Sequence, residues 1–321
     1  MPLVDMSLEQ LKEYKGINPK PADFDEYWDK ALKELDTVEP NPELKESEFQ
    51  LPGAECFDLY FTSVRGARIY AKYIRPRHRT GACPAVLQFH GYSGNSGNWR
   101  DLAAWTVAGM CIAAMDCRGQ GGKSEDTGGV KGNTYHGQII RGLDNEDPQD
   151  LLFRHIFLDT VQLARVIASM EEVDETRLAA TGGSQGGGLT LACAALYPDI
   201  KVITPQMPFL TDYLRVWEMD LAKEAYKELK DYFYRFDPRH LREYEIFEKL
   251  GYIDVHNLAE RIRATTRMYT GLMDTVCPPS TQFAAYNAIT APKSVWVYPD
   301  YKHESYPGAN DDKMLFTIEN L

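Results

Sequence analysis

Apolar and polar residues follow a repeating pattern over the last three quarters of the chain. From Ala85 onward, short and almost fully apolar runs end in glycine-rich or polar turns and alternate with segments of helical spacing. Such runs are typical of parallel strands that are buried on both faces of a sheet. They are AVLQF (85–89), MCIAAMD (110–116), RLAAT (177–181), KVITP (201–205), RMYTG (267–271) and SVWVY (294–298). The pattern therefore predicts an α/β fold with a mostly parallel central sheet flanked by helices.

The first 84 residues follow different periods. Apolar residues at helical spacing predict an amphipathic helix over residues 23–35, and a proline-rich connection follows it. The stretch FDLYFTSVRGARIYAKYIRP (57–76) alternates apolar and polar residues around a glycine-containing turn, which predicts an antiparallel hairpin. We interpret residues 1–50 as an N-terminal helical extension of a single domain that spans residues 1–321.

Two segments interrupt the alternation of strands and helices. Residues 121–150 form a long glycine-rich stretch without clear periodicity. Residues 212–256 are dense in charged residues and tyrosine, and they fall between two predicted strands. Long insertions at such positions often serve as lids or assembly surfaces, so we expect an inserted helical segment with one of these roles. A solvated helical hairpin without such a role is the alternative.

The composition and net charge of the chain limit the kinds of ligand that it is expected to bind. The 321 residues, 44% of them hydrophobic, can bury one large α/β core or two modest ones. A formal net charge of −12 argues against nucleic acid and anionic membranes, and it favours a neutral or cationic small substrate. The first residues lack the pattern of a signal peptide, and no apolar run is long enough to span a bilayer. Six cysteines without a C-x-x-C pair suggest reduced, structural thiols and a cytoplasmic location.

The stretch TGGSQGGGLT (181–190) packs five glycines around one serine. It has neither the G-x-G-x-x-G spacing of a dinucleotide loop nor the lysine of a P-loop. Residues 182–186 instead match G-x-S-x-G between a predicted strand and a predicted helix, which is the pattern of a nucleophile elbow. We predict that Ser184 is the nucleophile and that the amide of Gln185, at the helix N-terminus, stabilises an oxyanion. A passive serine in a tight turn is the alternative.

A nucleophilic serine needs a histidine base and an orienting carboxylate. In this type of fold they follow the serine in the order acid, then histidine, which excludes His78, His90, His136 and His155. His303 closely follows the predicted strand 294–298, whereas His240 and His256 lie in the charged insertion. Asp274 lies just beyond the end of the neighbouring predicted strand, with Asp254 as the weaker rival and Asp300 as a turn residue. We therefore predict a triad of Ser184, Asp274 and His303.

Two further loops follow early predicted strands. The loop in LQFHGYSG (87–94) can bring a backbone amide to the serine, and we nominate the amide of Tyr92 as the second oxyanion donor, with His90 as a structural residue. In DCRGQGGKS (116–124), Arg118 and Gln120 could support the triad by hydrogen bonding, or Arg118 could pair with a carboxylate at the surface. The histidines and cysteines show no zinc-ligand spacing, so we expect no metal and no organic cofactor.

Several motifs together resemble carbohydrate esterase family seven, the acetyl xylan esterase and cephalosporin-C deacetylase family. They are RGQ (118–120), GGSQGG (182–187), GLMDTVCPPSTQFAAYN (271–287) and HE (303–304), and the resemblance begins at the DFDEYWDKAL helix. It implies an α/β-hydrolase that removes acetyl groups from small hydroxylated sugars and from cephalosporin C. It assigns Ser184, Asp274 and His303 to the triad, and the amides of Tyr92 and Gln185 to the oxyanion hole.

The resemblance also implies a cytoplasmic, doughnut-shaped hexamer whose active sites face an internal cavity. Pro208 and Val276 lie near the matching motifs and are candidates for the substrate pocket. Three other functions remain open: a general short-chain carboxylesterase, a serine peptidase of the prolyl-oligopeptidase type, and a binding scaffold without catalysis. The peptidase is the weaker reading, since the chain has no repeated strand array that could form a propeller.

Overall fold

The computed structural model describes residues 4–129 and 134–321. Within these ranges nine strands form one sheet in the order β1-β2-β3-β5-β4-β6-β7-β8-β9. The neighbours from β1 to β5 in this order are antiparallel, and those from β5 to β9 are parallel. The strands are β1 Glu43–Glu46, β2 Ala54–Thr62, β3 Arg68–Pro76, β4 Cys83–Phe89, β5 Cys111–Met115, β6 Val173–Gly183, β7 Ile200–Gln206, β8 Thr265–Gly271 and β9 Lys293–Tyr298.

Both faces of the central strands are buried, which explains their apolar sequences. In β4, Leu87 and Phe89 belong to the larger core on one face, and Val86 belongs to the smaller core on the other face. In β6, Leu178 and Ala179 divide between the two cores in the same way. Because side chains alternate between the faces of a strand, burial of both faces requires apolar residues at consecutive positions. The six predicted parallel strands and the predicted hairpin are confirmed.

Helices cover both faces of the sheet. They are α1 Leu8–Glu13, α2 Phe24–Asp36, α3 Trp99–Leu102, α4 Ala104–Val107, α5 Leu152–Ala168, α6 Gln185–Leu196, α7 Tyr213–Glu218, α8 Lys227–Phe236, α9 Glu243–Leu250, α10 Val255–Leu258, α11 Pro279–Ala288 and α12 Ala309–Asn320. Short 3₁₀ turns occupy Val64–Gly66, Pro148–Asp150, Glu224–Tyr226, Gly251–Ile253 and Ala259–Arg261. Among the described residues, no helix is long and apolar enough to cross a bilayer.

The N-terminal extension packs into the main core. Trp28 of α2 is fully buried and stacks on Phe157 of α5, with ring centroids 5.8 Å apart. Its indole N–H donates to the carbonyl oxygen of Tyr252 at 3.0 Å, which ties α2 to the inserted segment. The predicted helix is therefore present over nearly the predicted residues. The exposed edge strand β1, in the proline-rich connection, was not predicted, since edge strands bury too little to show an apolar pattern.

The inserted segment, residues 212–256, is helical but is not a solvated hairpin. It contains α7, α8 and α9 and reaches into α10. Its apolar residues join the same core as the sheet: Tyr213, Val216, Tyr226, Leu229, Tyr232, Phe233, Ile246, Phe247 and Leu250 are all buried. The density of charge had suggested solvation, but the charged residues lie on the outer faces of amphipathic helices.

All six cysteines are free and buried, as their apolar sequence surroundings had predicted. The parallel strands place their carboxyl ends along one edge of the sheet, where ligand sites of open α/β sheets form. Four segments that carry candidate residues follow these ends: residues 90–93 after β4, Ser184 after β6, residues 272–277 after β8, and residues 299–304 after β9.

Candidate active site

Ser184 occupies a sharp turn between β6, which ends at Gly183, and α6, which begins at Gln185. Its backbone has φ 57° and ψ −121°, a conformation that a residue other than glycine rarely adopts. Three hydrogen bonds hold this backbone in place. The amide of Ser184 donates to the carbonyl oxygen of Gln206 at 3.0 Å, and its own carbonyl accepts from the amides of Gly188 at 3.1 Å and Phe209 at 3.0 Å.

Glycines on both sides of the serine let β6 and α6 pass closely. A Cβ atom at Gly182 would lie 2.4 Å from the carbonyl oxygen of Gly186, and one at Gly186 would lie 2.0 Å from that of Phe89. Both distances are far below van der Waals contact with backbone that cannot move aside. A Cβ at Gly183, in contrast, would have no atom within 4 Å. Crowding therefore requires glycine at the first and last positions of the G-x-S-x-G pattern.

The three predicted triad residues meet in the structure. The Nε2 atom of His303 lies 3.0 Å from the Oγ atom of Ser184, and its Nδ1 atom lies 2.8 Å from Oδ2 of Asp274. The other carboxylate oxygen of Asp274 accepts hydrogen bonds from the amides of Val276 at 2.8 Å and Cys277 at 2.9 Å. Asp274 is completely buried, so these bonds fix its orientation towards the imidazole.

The rival residues of the triad have other partners. Asp254 caps α10, accepts the amide of Asp212 at 2.9 Å and contacts Nδ1 of His256 at 2.9 Å, all within the inserted segment and its border. His240 pairs with Glu243 at the surface. Within the part of the chain that the structure describes, none of these side chains contacts Ser184.

The loop after β4 lies beside the serine. A Cβ atom at Gly91 would lie 4.0 Å from the carbonyl oxygen of Gly183, and Gly91, Tyr92, Ser184 and His303 line one cavity. Gln185 begins α6, so its amide is one of the N–H groups that have no acceptor within a helix. The amides of Tyr92 and Gln185 thus belong to the two backbone segments that flank the hydroxyl, as an oxyanion hole requires.

The side chain of His90 fixes the loop after β4. The Nδ1 atom of His90 lies 2.7 Å from the carbonyl oxygen of Gly91, and its Nε2 accepts from the amide of Cys117 at 2.9 Å. These contacts need a neutral ring with the proton on Nδ1, and burial lowers the pKa of His90 accordingly. The predicted structural role of His90 fits this geometry.

Gln120 joins the same loop to the nucleophile turn. Its side-chain amide pairs reciprocally with that of Gln185, with N···O distances of 2.9 and 3.1 Å. Its Oε1 atom also accepts from the amide of Ser93 at 2.9 Å. Gln120 therefore supports both backbone segments that flank the serine, although it does not touch the triad itself.

Arg118 forms a buried ion pair, and Pro208 lies outside the lining of the cavity at Ser184. Arg118 donates two hydrogen bonds to Asp159, at 2.7 and 2.5 Å, and both side chains are fully buried. Of the two possibilities left open for Arg118, the surface ion pair is therefore wrong, because its carboxylate partner Asp159 is buried on α5. Pro208 is buried against Gly187 and does not line the cavity at Ser184, whereas Val276 does.

The cavity at Ser184 has a volume of about 620 Å³ and is lined partly by the inserted segment. Its lining comprises Gly91, Tyr92, Ser184, Leu221, Lys223, Glu224, Ala225, Thr275, Val276 and His303. A neighbouring cavity of about 760 Å³ shares Tyr92, Lys223, Glu224 and Ala225 with it. Residues 221–225 therefore form a wall between the cavity at Ser184 and this second cavity.

One group of possible metal ligands coincides with the triad. Among the described residues, Asp274, Cys277 and His303 place one potential ligand atom each within 4.8 Å of one another. Burial raises the pKa of the Cys277 thiol well above its usual value, so the sulfur is a neutral thiol rather than the thiolate that binds metals. The carboxylate and the imidazole already bond to each other, which fits a triad better than a metal site.

Sequence reasoning did not identify two polar residues that contact the site. Glu228 of α8 accepts a hydrogen bond from the hydroxyl of Tyr92. Gln206 accepts the amide of Ser184 and lies at the end of β7. A polar residue at the carboxyl end of a buried parallel strand is a usable sequence signal for Gln206, but the position of Glu228 depends on the folding of the insertion.

This arrangement is able to perform acyl transfer. A hydroxyl at a helix N-terminus, an imidazole within hydrogen-bonding distance of it and a buried carboxylate behind the imidazole are the parts of a serine nucleophile with its base. With the parallel sheet and the strand-turn-helix serine, fold and site define the class of serine hydrolases with an α/β-hydrolase fold.

Comparison with known proteins identifies the family within this class. The family model described as acetyl xylan esterase (AXE1) matches residues 1–321, and the chain belongs to this family of carboxylic ester hydrolases. The resemblance inferred from the sequence motifs is thereby confirmed.

Two solved structures and one curated relative illustrate the similarity. Acetyl xylan esterase 1 from Thermoanaerobacterium sp. JW/SL YS485 is 59% identical, with a TM-score of 0.95 over 98% of this chain and 99% of that one. An acetyl xylan esterase from Paenibacillus sp. R4 is 36% identical, with a TM-score of 0.92 over 98% and 100% of the two chains. The acetyl esterase Axe7A of Xylanibacter ruminicola is 27% identical over 98% of this chain and 70% of its own length.

Proposed function

We propose that this esterase removes acetyl groups from acetylated xylo-oligosaccharides and related small acetylated sugars. The observation that carries the proposal is the hydrogen-bonded chain from Ser184 through His303 to Asp274, which opens on a cavity of about 620 Å³. The acetyl xylan esterases that are similar to this chain support the choice of substrate. Cephalosporin C, also an acetyl ester of an alcohol, is a further proposed substrate.

The proposed mechanism has two acyl-transfer steps. His303 takes the proton of Ser184 as the serine oxygen attacks the acetyl carbonyl carbon, and the amides of Tyr92 and Gln185 stabilise the oxyanion. The tetrahedral intermediate collapses to an acetyl-enzyme, and the alcohol leaves with the proton from His303. A water molecule then attacks the acetyl group and loses its proton to His303, which returns this proton to the oxygen of Ser184 as acetate leaves. Asp274 keeps the imidazole in the required tautomer throughout.

The surroundings of the serine suggest where each part of the substrate lies. Leu221 and Val276 provide apolar contacts close to Ser184, which suits the methyl group of an acetyl ester. The second cavity, across Lys223 and Glu224, continues away from the serine. An alcohol larger than one sugar unit would extend into it, so we propose that the neighbouring sugars of an oligosaccharide bind there.

We also propose a cytoplasmic hexamer, in which the inserted segment contributes to assembly. Four of its large apolar or aromatic residues are exposed: Tyr234, Phe236, Leu241 and Tyr244. A cluster of exposed apolar residues on neighbouring helices is typical of a protein interface. The same segment forms a wall of the active-site cavity, so contacts between copies would also shape the entrance to the site.

The experiment that tests the proposed function is hydrolysis of p-nitrophenyl esters from acetyl to octanoyl, together with acetylated xylo-oligosaccharides. We expect a steep fall in kcat/KM beyond the shortest acyl groups and release of acetate from the oligosaccharides. Ser184→Ala should abolish both activities. Ser169→Ala, a change of an exposed serine just beyond the end of α5, serves as the control.

Other outcomes would select other functions. A maximum at longer acyl chains would retain the triad and replace the acetyl assignment with a general carboxylesterase. Cleavage of a peptide amide would indicate a peptidase. Activity that persists in the Ser184→Ala protein would exclude the proposed nucleophile.

A further inference from the structure

Gln206, the last residue of β7, forms hydrogen bonds to Ser184 and to the residue that follows His303. Its carbonyl oxygen accepts the amide of Ser184 at 3.0 Å. Its side-chain nitrogen donates to the carbonyl oxygen of Glu304 at 3.4 Å, one residue beyond His303. Its backbone therefore holds the strained serine, and its side chain holds the loop that carries the histidine. Gln206 is only 7% exposed, so water competes little for these bonds.

A buried lysine determines which way the amide of Gln206 points. Lys313 of α12 is 8% exposed, and its ammonium donates to Oε1 of Gln206 at 2.6 Å and to the side-chain oxygen of Asn310 at 3.4 Å. It also lies 5.5 Å from the centre of the Tyr269 ring. A lysine ammonium can only donate hydrogen bonds, so the oxygen of the amide must face Lys313. The amide nitrogen is then directed to Glu304.

We propose that Gln206 is a positioning residue that sets the placement of His303 relative to Ser184, and that Lys313 fixes the orientation of its side chain. This inference rests on the proposed esterase mechanism. Ser184 and His303 belong to different loops, after β6 and β9, and β7 lies beside β6 in the sheet. Gln206 bridges the two loops with one residue, and the distance of 3.0 Å between Nε2 and Oγ depends on this bridge.

The bridge tolerates the titration of Lys313. Burial lowers the pKa of Lys313 to about 8. A neutral amine can still donate to the oxygen of Gln206, and the carbonyl oxygen of Glu304 still requires the NH₂ group, so the amide keeps its orientation above pH 8. The groups around Lys313 are Tyr269 on β8, Gln206 on β7, and Asn310 and Asp311 on α12, together with Asp101 on α3 across a shared cavity. Gln206 therefore acts by holding the two loops in place, and this action does not depend on the charge of Lys313.

The test uses variants that separate the two side-chain bonds of Gln206. Gln206→Leu removes both bonds. Gln206→Glu keeps an acceptor for Lys313 but has no donor for the carbonyl of Glu304. Lys313→Met leaves the amide free to turn. The matched control is Gln162→Leu, since Gln162 is 1% exposed and donates to the carbonyl oxygens of Val38 and Thr62, none of which lines the cavity at Ser184.

We expect kcat for p-nitrophenyl acetate to fall about 10- to 100-fold in Gln206→Leu and Gln206→Glu, with KM nearly unchanged, because a small displacement of a base affects the reaction rather than binding. Lys313→Met should lower kcat less. The downfield proton resonance of Nδ1–H of His303 should shift or broaden in both Gln206 variants. Gln162→Leu should lower the melting temperature without changing kcat, KM or this resonance.

A second readout is the rate at which a fluorophosphonate labels Ser184, which needs the serine and its base but no sugar. Labelling at the wild-type rate in both Gln206 variants, with an unchanged resonance of His303, would overturn the inference. Rapid labelling of the wild-type chain without hydrolysis of any acetyl ester would instead overturn the proposed function. The labelling rates of the variants would still decide the role of Gln206. If Gln206→Leu does not fold, Gln206→Glu and Lys313→Met supply the same comparison.

Discussion

The two carboxylate oxygens of Asp274 have different hydrogen-bond partners. One oxygen accepts the amides of Val276 and Cys277, and the other contacts Nδ1 of His303 at 2.8 Å. The first pair of bonds therefore determines which oxygen is available to the histidine. An acceptor at this point keeps the proton of the neutral imidazole on Nδ1, so that Nε2 can accept the proton of Ser184.

The substitution Asp274→Asn tests whether the two oxygens have these separate roles. The oxygen of asparagine must remain with the two amides, so its NH₂ group would face Nδ1 of His303 and force the ring proton onto Nε2. We expect kcat for p-nitrophenyl acetate to fall about 10⁴-fold with little change in stability. The control is Asp237→Asn, since Asp237 is a buried carboxylate that also accepts two backbone amides, away from the site. Retention of more than a tenth of the activity would exclude this role for Asp274.

At the scale of elements, the junction of β6, the serine turn and α6 is limited by space. A methyl group at Gly186 would meet the carbonyl oxygen of Phe89 at 2.0 Å, whereas one at Gly183 would meet no atom within 4 Å. The two glycines flank the serine turn yet differ in their surroundings, so they form a matched pair.

We expect Gly186→Ala to lower the free energy of unfolding by about 1–3 kcal/mol or more and to abolish activity, because strand and helix must separate. Gly183→Ala should remain close to the wild type in stability. Thermal unfolding and hydrolysis of p-nitrophenyl acetate measure the two effects. Equal stability of the two variants would show that the turn is not limited by crowding.

A buried carboxylate joins the inserted segment to the loop after β4. Glu228 of α8 accepts hydrogen bonds from the hydroxyl of Tyr92 and from the amides of Ile139 at 2.7 Å and Ile140 at 3.1 Å, with Arg141 nearby. Burial raises the pKa of Glu228 from 4.5 to about 7, and these hydrogen bonds oppose the rise. Three chain segments thus meet at one group that titrates near neutral pH.

The raised pKa predicts a pH-dependent contribution to stability. Between about pH 4.5 and 7 the folded chain keeps a proton on Glu228 that the unfolded chain has released. This contribution is complete below pH 4.5 and is lost as the pH rises through 7. In Glu228→Gln the contribution disappears, because the amide of glutamine does not titrate and can still accept the two backbone amides.

Urea unfolding at pH 5 and pH 8 measures this effect. Between pH 5 and pH 8, the free energy of unfolding of the wild type should fall by on the order of 2 kcal/mol more than that of Glu228→Gln. Glu218→Gln, which changes an exposed carboxylate of the same segment, should behave like the wild type. An identical pH dependence in the wild type and Glu228→Gln would contradict the raised pKa.

At the scale of the whole molecule, the exposed aromatic residues of the inserted segment bear on assembly. Tyr234 is 81% exposed and Tyr244 is 69% exposed, on the neighbouring helices α8 and α9. We expect light scattering to give the mass of six 36.4 kDa chains. The pair of substitutions Tyr234→Glu and Tyr244→Glu should give smaller species, since buried charges oppose association.

Val107→Glu is the control for this experiment, because Val107 is 90% exposed but lies on α4, outside the inserted segment. A wild-type protein that remains monomeric would exclude the hexamer. A double variant that keeps the full mass would place the interface elsewhere.

The sheet, the serine turn and the three residues that we propose as a triad could all be predicted from the sequence. Runs such as AVLQF indicate that both faces of the strand are buried, since side chains at consecutive positions point to opposite faces of the sheet. The glycine spacing around Ser184 reports a local steric limit, so it can be read without knowledge of distant contacts. Asp274 and His303 were found because the carboxyl ends of parallel strands converge on one edge, which makes position along the chain a guide to position in space.

Contacts between groups that are distant in the sequence could not be predicted without the structure. The partner of Arg118 is the buried Asp159, and no local pattern distinguishes this pair from one at the surface. The charged insertion packs its aromatic residues into the main core, and Glu228 reaches Tyr92 from more than a hundred residues away. The bond between Gln206 and Lys313 likewise joins β7 to the C-terminal helix. These contacts depend on how helices and strands pack against one another. Such packing produces no periodic pattern of residues in the sequence.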